Sequence, residues 1–115
     1  MTAPTRTPVA APIEVQAPAW FISDLHLTAD MPRTLAAFHR VLERAARDAR
    51  TLFILGDFFE FWVGDEETDS PFAAEVAAAL RRLADAGVPV YLMHGNRDFL
   101  LGRRFPAKAG ATLLP

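Results

Sequence analysis

Three short polar segments each follow a run of apolar residues, and each carries side chains able to bind metal ions. Asp24 and His26 come after the first run, Asp57 comes after the second, and Asn96 and Arg97 come after the third. The carboxyl ends of parallel strands lie at one edge of a sheet, where open α/β folds bind their ligands. The spacing therefore predicts that these side chains converge on one site.

The donor atoms of these side chains favour a hard or borderline metal ion. Asp24 and His26 are two residues apart, so in an extended segment their side chains leave on the same face and can chelate one ion. The two oxygens of Asp57 can bridge two ions, and Asn96 offers a neutral carbonyl oxygen. The chain has no cysteine, and oxygen and nitrogen ligands favour Mn, Mg, Fe or Zn. Paired ions roughly 3.5–4 Å apart are the usual device for hydrolysing phosphate esters and anhydrides.

Each motif taken alone also has an ordinary structural interpretation. Asp24 and His26 could form a surface pair at a strand end, and Asp57 could be a turn residue that follows Gly56. Asn96 could equally be a loop residue that follows a glycine. The occurrence of three such motifs at three predicted strand ends favours the metal site over these readings.

Alternating strands and helices are predicted to position the motifs. Apolar runs and helical spacing predict strands at 19–23, 51–55, 88–93 and 111–114, and helices at 31–49, from 71 up to Gly87, and at 99–108. Asp30 and Ser70 are the predicted N-caps of the first two helices. Pro106 is expected to break the third helix. Strand–helix alternation with short connections predicts an α/β fold with a parallel βαβαβ start.

Composition limits the class of protein. The 115 residues allow at most one ordinary domain, and 51% hydrophobic with 23% charged residues is typical of a globular chain. A net charge of -2 gives no basic excess for a nucleic-acid partner, and no apolar run is long enough to span a bilayer. Residues 1–18 contain four of the nine prolines and are predicted to be a disordered tail, which leaves 19–115 as the domain.

Parallel sheets are stable when both faces are covered. The two full helices that are predicted cannot cover both faces of such a sheet. The chain also ends on Leu113, Leu114 and Pro115, apolar residues that enter a new element. We therefore expect the sequence to be truncated, or to need a partner that completes the fold.

The three motifs together resemble the signature of the calcineurin-like metallophosphoesterases, which runs Asp-x-His, Gly-Asp and Gly-Asn-His/Arg-Asp/Glu, followed downstream by single and paired histidines. In this sequence the motifs are Asp24-Leu25-His26, Gly56-Asp57 and Gly95-Asn96-Arg97-Asp98. Within that family the aromatic stretch after the second motif, and an arginine where most relatives have histidine, are similar to the branch that acts on UDP-2,3-diacylglucosamine in lipid A synthesis. The resemblance covers residues 20–115.

The resemblance implies a fold and a role for each motif residue. The fold would be the N-terminal part of the calcineurin-like metallophosphoesterase sandwich, with two Mn ions in the complete enzyme. Asp24, His26 and Asp57 would hold one ion, and Asp57 and Asn96 would begin the shell of the second. Asn96 and Arg97 would bind the substrate diphosphate. Arg97 would also act in catalysis, because a guanidinium stays charged and donates two parallel hydrogen bonds to phosphate oxygens.

The implied reaction is hydrolysis of the diphosphate of UDP-2,3-diacylglucosamine to UMP and 2,3-diacylglucosamine 1-phosphate. It implies a peripheral enzyme at the cytoplasmic face of the bacterial inner membrane, whose partners are this glycolipid nucleotide and the membrane surface, with no nucleic acid. The family's downstream histidines and helical cap are not among these residues, so we expect weak metal affinity and no useful turnover from the 115-residue chain. The alternatives are an enzyme for another phosphodiester or nucleotide, and an inactive metal-binding module.

The aromatic stretch after Asp57 has two interpretations. Its rings are most simply core residues beneath the loop, and the alternative is that some of them face a groove for acyl chains: Phe58, Phe59, Phe61 and Trp62. Two basic residues further along, Arg103 and Arg104, are expected to be exposed, where they could face anionic lipid headgroups.

Overall fold

A parallel sheet with helices between its strands makes up the structure, a computed structural model that describes residues 15–59, 64, 68–93 and 103–114. Its elements in chain order are β1 (Ala19–Ile22), α1 (Pro32–Asp48), β2 (Thr51–Ile54), α2 (Pro71–Asp85), β3 (Val90–Leu92), α3 (Arg104–Ala109) and β4 (Thr112–Leu113). The strands lie in the order β1-β2-β3-β4, and every neighbouring pair is parallel. The predicted parallel α/β architecture is therefore confirmed, and all four strands fall within the predicted segments.

The hydrophobic core lies between the helices and one face of the sheet. Because side chains alternate along a strand, every second residue of β1, β2 and β3 points toward the helices. The members of this core that matter for the site are Leu52, Ile54, Val90 and Leu92 from the strands, Phe38 and Leu42 from α1, Val76 and Leu80 from α2, and Phe105 from α3. The ends of β1 and β2 are thus held against the helices.

The outward face of the sheet carries a row of stacked rings from three adjacent strands. Phe21 and Phe53 have ring centroids 4.9 Å apart and an interplanar angle of 8°. Phe53 and Tyr91 are 5.1 Å apart at 19°. Phe53 is only 8% exposed because rings lie on both sides of it, whereas Phe21 is 59% exposed. These three residues define the outward face.

The predicted N-cap is confirmed for α2 and wrong for α1. The Ser70 hydroxyl accepts a hydrogen bond from the Ala73 N–H at 3.1 Å, so Ser70 caps α2 as predicted. The prediction for Asp30 is wrong, because α1 has Met31 at its N-cap without a side-chain hydrogen bond. Met31 instead donates its N–H to the Thr28 carbonyl at 3.2 Å. This turn moves the start of the helix one residue beyond the acidic side chain.

The predicted break at Pro106 is also wrong. Pro106 is the third residue of α3, and the first four N–H groups of a helix have no intrahelical partner. The missing N–H of proline therefore costs no hydrogen bond there. The helix ends at Ala109 and is capped by Gly110, whose φ of 69° suits a residue without a β-carbon. The predicted residues 99–102 of this helix lie outside the described residues.

The segment that precedes β1 contacts β2. The Thr51 hydroxyl donates to the carbonyl of Gln16 at 3.0 Å, and the Arg50 N–H donates to the carbonyl of Pro18 at 2.8 Å. Residues 1–14 of the predicted tail lie outside the described residues. None of the helices in the described part of the chain combines the length and hydropathy needed to cross a membrane.

Candidate metal centre

The segments that follow β1 and β2 remain hydrogen-bonded to each other after the strands end. The Asp24 N–H donates to the Gly56 carbonyl at 3.2 Å, and the His26 N–H donates to the Asp57 carbonyl at 3.0 Å. The two segments come from adjacent parallel strands in register. Their backbones are therefore fixed relative to each other at the carboxyl edge of the sheet, where the sequence predicts the site.

The side chains of Asp24, His26 and Asp57 converge in what we call the metal corner. One ligand atom from each residue lies within 4.8 Å of the other two, and His26 Nε2 is 3.8 Å from Asp24 Oδ1. The Asp24 side chain is 70% exposed and that of His26 34%, so a substrate in solution can reach the corner. Two carboxylates and one imidazole form an oxygen and nitrogen donor set that is compatible with Mn, Mg, Fe or Zn.

The backbone at Asp24 and His26 differs from the extended segment expected there from the sequence. Asp24, His26 and Asp57 have φ values of 55°, 49° and 48°. Within the described part of the chain they are the only residues other than glycine with positive φ. The convergence of Asp24 and His26 therefore comes from left-handed backbone rather than from strand alternation. Such conformations cost about 1–2 kcal/mol per residue and cluster at functional sites.

Two buried aromatic residues adjoin the metal corner in the sequence. Phe58 and Phe59 directly follow Asp57, and each is 1% exposed. The Leu27 N–H donates to the Phe58 carbonyl at 2.8 Å, which continues the pairing of the two segments. Phe58 and Phe59 are therefore core residues, in agreement with the simpler of the two interpretations. Phe61 and Trp62 lie outside the described residues.

Two of the predicted site residues follow β3 in the sequence. Asn96 and Arg97 lie outside the described residues, so their proposed contacts with metal and substrate stay predictions. The end of β3 is nevertheless next to the metal corner in the sheet, because the Met93 N–H donates to the Ile54 carbonyl at 2.9 Å. The segment that carries Asn96 and Arg97 thus starts beside the strand that leads into Asp57.

The sequence did not predict one aromatic contact of the segment that follows Asp57. Phe105 of α3 is fully buried and meets Phe59 with centroids 5.0 Å apart at 86°, the edge-to-face arrangement favoured by aromatic pairs. Its only sequence signal is an apolar residue in a short predicted helix, which identifies a core position without naming its partners.

The comparison with family models identifies the group of proteins to which this arrangement belongs. Residues 17–112 match the model of the calcineurin-like phosphoesterases. The chain belongs to the calcineurin-like phosphoesterase family. The match includes the whole metal corner and the strands β1, β2 and β3, so the family assignment and the observed fold rest on the same residues.

Curated relatives within this family carry the name UDP-2,3-diacylglucosamine hydrolase. The relative from Ralstonia nicotianae is 62% identical over 113 residues, which are 98% of this chain and 42% of that protein. The relative from Escherichia coli O7:K1 is 54% identical over 95 residues, or 83% of this chain and 39% of that protein. The chain thus spans about two fifths of the length of these relatives.

A solved structure of similar fold has a different title. The Pseudomonas putida nuclease MPE superposes with a TM-score of 0.55 and 26% sequence identity, over 82% of this chain and 46% of the nuclease chain. The metallophosphoesterase fold is therefore shared with a protein described as a nuclease.

Proposed function

We propose that this chain forms part of the active site of a hydrolase that cleaves the diphosphate of UDP-2,3-diacylglucosamine. The products would be UMP and 2,3-diacylglucosamine 1-phosphate. The observation that carries the proposal is the convergence of Asp24, His26 and Asp57 within 4.8 Å at the ends of adjacent strands. The names of the Ralstonia and Escherichia coli relatives support the choice of substrate.

In this proposal Asp24, His26 and Asp57 would hold one Mn ion, and Asp57 and Asn96 would contribute to the shell of a second. Asp57 would thus be shared, and Asp24 and His26 would be the other ligands that this chain gives to the first ion. Asn96 would be the other ligand that it gives to the second. When bound, such ions polarise phosphoryl oxygens and lower the pKa of a water molecule. The contribution of the protein is the fixed spacing of its donor atoms, which the paired backbones of the two segments maintain.

Arg97 is proposed to bind the diphosphate together with Asn96 and to act in catalysis. A guanidinium donates two parallel hydrogen bonds to phosphate oxygens and keeps its charge at any physiological pH. Charge that develops on those oxygens in the transition state would be stabilised by such a donor, which is worth about 2.7–4 kcal/mol in preorganised sites. The arginine would orient the substrate and neutralise its charge.

We further propose that the protein works peripherally at the cytoplasmic face of the bacterial inner membrane. A substrate with two acyl chains partitions to a membrane surface, and anionic headgroups attract surface cations. Arg103 and Arg104 are both exposed at the start of α3, in agreement with the expectation from the sequence. Arg104 also pairs with Asp69 at 2.6 Å, so Arg103 is the better candidate for headgroup contact.

A second candidate function is hydrolysis of another phosphodiester, including one in a nucleic acid. The likeness to the Pseudomonas putida nuclease favours it, because a two-metal site can cleave either type of bond. The net charge of -2 weighs against a nucleic-acid substrate. We therefore rank the glycolipid nucleotide first.

A chimera with the full length of a curated relative tests the proposed function. The matched 113 residues of the Ralstonia relative are replaced by those of this chain, to which they are 62% identical. We expect the chimera to release UMP from UDP-2,3-diacylglucosamine with Mn, and Asp57→Ala to abolish the release. Asp48→Ala is the matched control, because Asp48 is an exposed acid at the last residue of α1, three residues before β2 begins.

The same assay separates the alternatives. A folded chimera that cleaves single-stranded DNA or a water-soluble phosphodiester, but not the glycolipid nucleotide, would favour the second candidate. A folded chimera that binds no Mn and hydrolyses none of these substrates would contradict both candidates. The isolated 115-residue chain is expected to show no useful turnover, and hydrolysis at the rate of the intact Ralstonia relative would refute that expectation.

A further inference from the structure

Asp57 depends on its flanking residues to keep the conformation that aims its carboxylate. Its φ of 48° lies in the left-handed region, which is about 1–2 kcal/mol less favourable than the right-handed one. A residue stays there only when the structure on both sides fixes the chain. On the amino-terminal side, β2 provides this restraint, because Ile54 is fully buried within the sheet. On the carboxyl-terminal side the chain continues into Phe58 and Phe59.

On the carboxyl-terminal side the restraint comes from rings of both α1 and α3, and Phe38 of α1 lies 5.4 Å from Phe58 at 60°. Phe105 lies edge-to-face on Phe59 at 5.0 Å and reaches Phe58 with centroids 6.2 Å apart at 54°. All four rings are at most 1% exposed, and closely packed side chains transmit a displacement rather than absorb it. A change at Phe105 is therefore transmitted as a displacement to Phe58 and Phe59, the two residues that follow Asp57.

Two exposed side-chain contacts also help to hold α3, one at its first residue and one at its fourth. Arg104 meets Asp69 through a charge-assisted hydrogen bond of 2.6 Å between Nη2 and Oδ2. Arg81 of α2 donates to the carbonyl of Ala107 at 3.3 Å. The helix is too short to be stable by itself, so these contacts and the buried ring determine where it lies.

We propose that Phe105 is a positioning residue for the metal ligand Asp57. It acts through Phe58 and Phe59, and the Arg104–Asp69 pair supports it by holding the start of α3. The proposal deepens the proposed function, because it rests on Asp57 being a ligand. It assigns a role in the metal centre to a helix that contributes no ligand, and to a residue that lies 48 positions after Asp57 in the sequence.

The test compares Phe105→Leu with Phe53→Leu in the 115-residue chain. The two variants lose the same ring from two buried sites, and Phe53 lies on the strand that leads into Asp57 but on the opposite face of the sheet. The first measurement is amide hydrogen exchange at His26 and Leu27, whose N–H groups donate to the Asp57 and Phe58 carbonyls at 3.0 and 2.8 Å. The second measurement is Mn affinity by titration.

We expect Phe105→Leu to speed exchange at His26 and Leu27 by about tenfold while the Leu55 amide keeps its rate. The Leu55 N–H donates to Ile22 at 2.8 Å, within the regular sheet. We also expect Mn affinity to fall about tenfold, the lower end of the range for residues that support a metal ligand. Phe53→Leu should leave the His26 and Leu27 amides and the Mn affinity unchanged, although it lowers stability.

Equal changes at His26 and Leu27 in the two variants would overturn the proposal, because they would reveal a general loss of stability. No change at these amides in Phe105→Leu would overturn it as well. If Phe105→Leu does not fold, Arg104→Gln decides: exchange about threefold faster, restored by Arg104→Lys, supports the proposal, and an unchanged rate overturns it. Should the unmodified chain bind no Mn, the metal assignment fails, and the exchange rates still decide whether Phe105 positions this backbone.

Discussion

The metal corner and the outward face of the sheet are built from neighbouring residues of the same two strands in opposite ways. On the outward face, Phe21 and Phe53 stack at 4.9 Å on regular, paired backbone. At the metal corner, Asp24 and Asp57 follow within three and four residues, and both leave the strand conformation for the left-handed region. The ladder of hydrogen bonds continues through both regions, so pairing alone does not distinguish them.

The outward face stabilises the fold, whereas the metal corner costs stability and brings together the side chains of the proposed site. Each stacked aromatic pair on the outward face contributes about 0.5–1.5 kcal/mol beyond its burial. Each left-handed residue of the metal corner costs about 1–2 kcal/mol. A region that costs stability is retained when it brings reactive side chains together, as Asp24, His26 and Asp57 are brought together here. Substitutions in the two regions should therefore affect different measurements.

The largest effect on stability is expected on the outward face. Phe53→Ala removes a ring that is 8% exposed and has stacked neighbours on both sides. We expect it to lower the free energy of unfolding by about 3–5 kcal/mol, the usual cost of truncating a buried phenylalanine. Urea denaturation measures this change. Mn affinity of the folded fraction should stay the same, and a parallel loss of Mn binding would show that the two regions are not independent.

The largest effect on metal binding is expected at Asp57. Asp57→Ala should weaken Mn binding by at least about 100-fold, which corresponds to about 2.7 kcal/mol. The reason is that the variant loses the carboxylate shared by both proposed ions. Calorimetric titration with Mn measures the affinity, and Asp48→Ala at the end of α1 serves as the charge-matched control. Near-normal affinity in Asp57→Ala would remove Asp57 from the ligand set.

A smaller effect is expected at the helix caps, which belong to neither region. Ser70→Ala should cost about 1 kcal/mol, because the hydroxyl satisfies the Ala73 N–H at 3.1 Å. Asp30→Ala should change stability by less than about 0.5 kcal/mol, because α1 begins without a side-chain cap. Thermal unfolding of the two variants side by side measures the difference. An equal loss in both would mean that Asp30 does cap its helix.

The smallest predicted effect addresses the strained backbone directly. Asp57→Gly should be about 0.5–1 kcal/mol more stable than Asp57→Ala, since glycine adopts positive φ freely and alanine does not. Both variants lack the carboxylate, so the difference reports on the backbone alone. Denaturant unfolding measures it. Greater stability of the alanine variant would show that Asp57 is not held in the left-handed region.

The sequence predicted what depends on local pattern. The apolar runs predicted all four strands and their parallel arrangement, and Ser70 was recognised because a cap followed by Pro71 has a strong local signal. The convergence of Asp24, His26 and Asp57 followed from their positions after adjacent strands. These predictions rest on hydrogen bonding and periodicity that a few consecutive residues decide.

The remaining features depend on contacts between distant parts of the chain. The left-handed φ of Asp24, His26 and Asp57 comes from the way two segments pair and pack, whereas the sequence predicted an extended segment at Asp24 and His26. Pro106 was expected to break α3 because its place in the first turn depends on where the helix starts. The contact of Phe105 with Phe59 joins residues of different elements, which no local pattern reveals.

Anomalous diffraction from a crystal of the chain soaked with Mn tests the central claim most directly, because it locates the metal independently of any assay. We predict an anomalous peak within coordination distance of ligand atoms from Asp24, His26 and Asp57, and its loss in crystals of the Asp57→Ala variant. A peak bound by other residues, or no peak at the metal corner at millimolar Mn, would contradict the assignment of these three side chains as ligands.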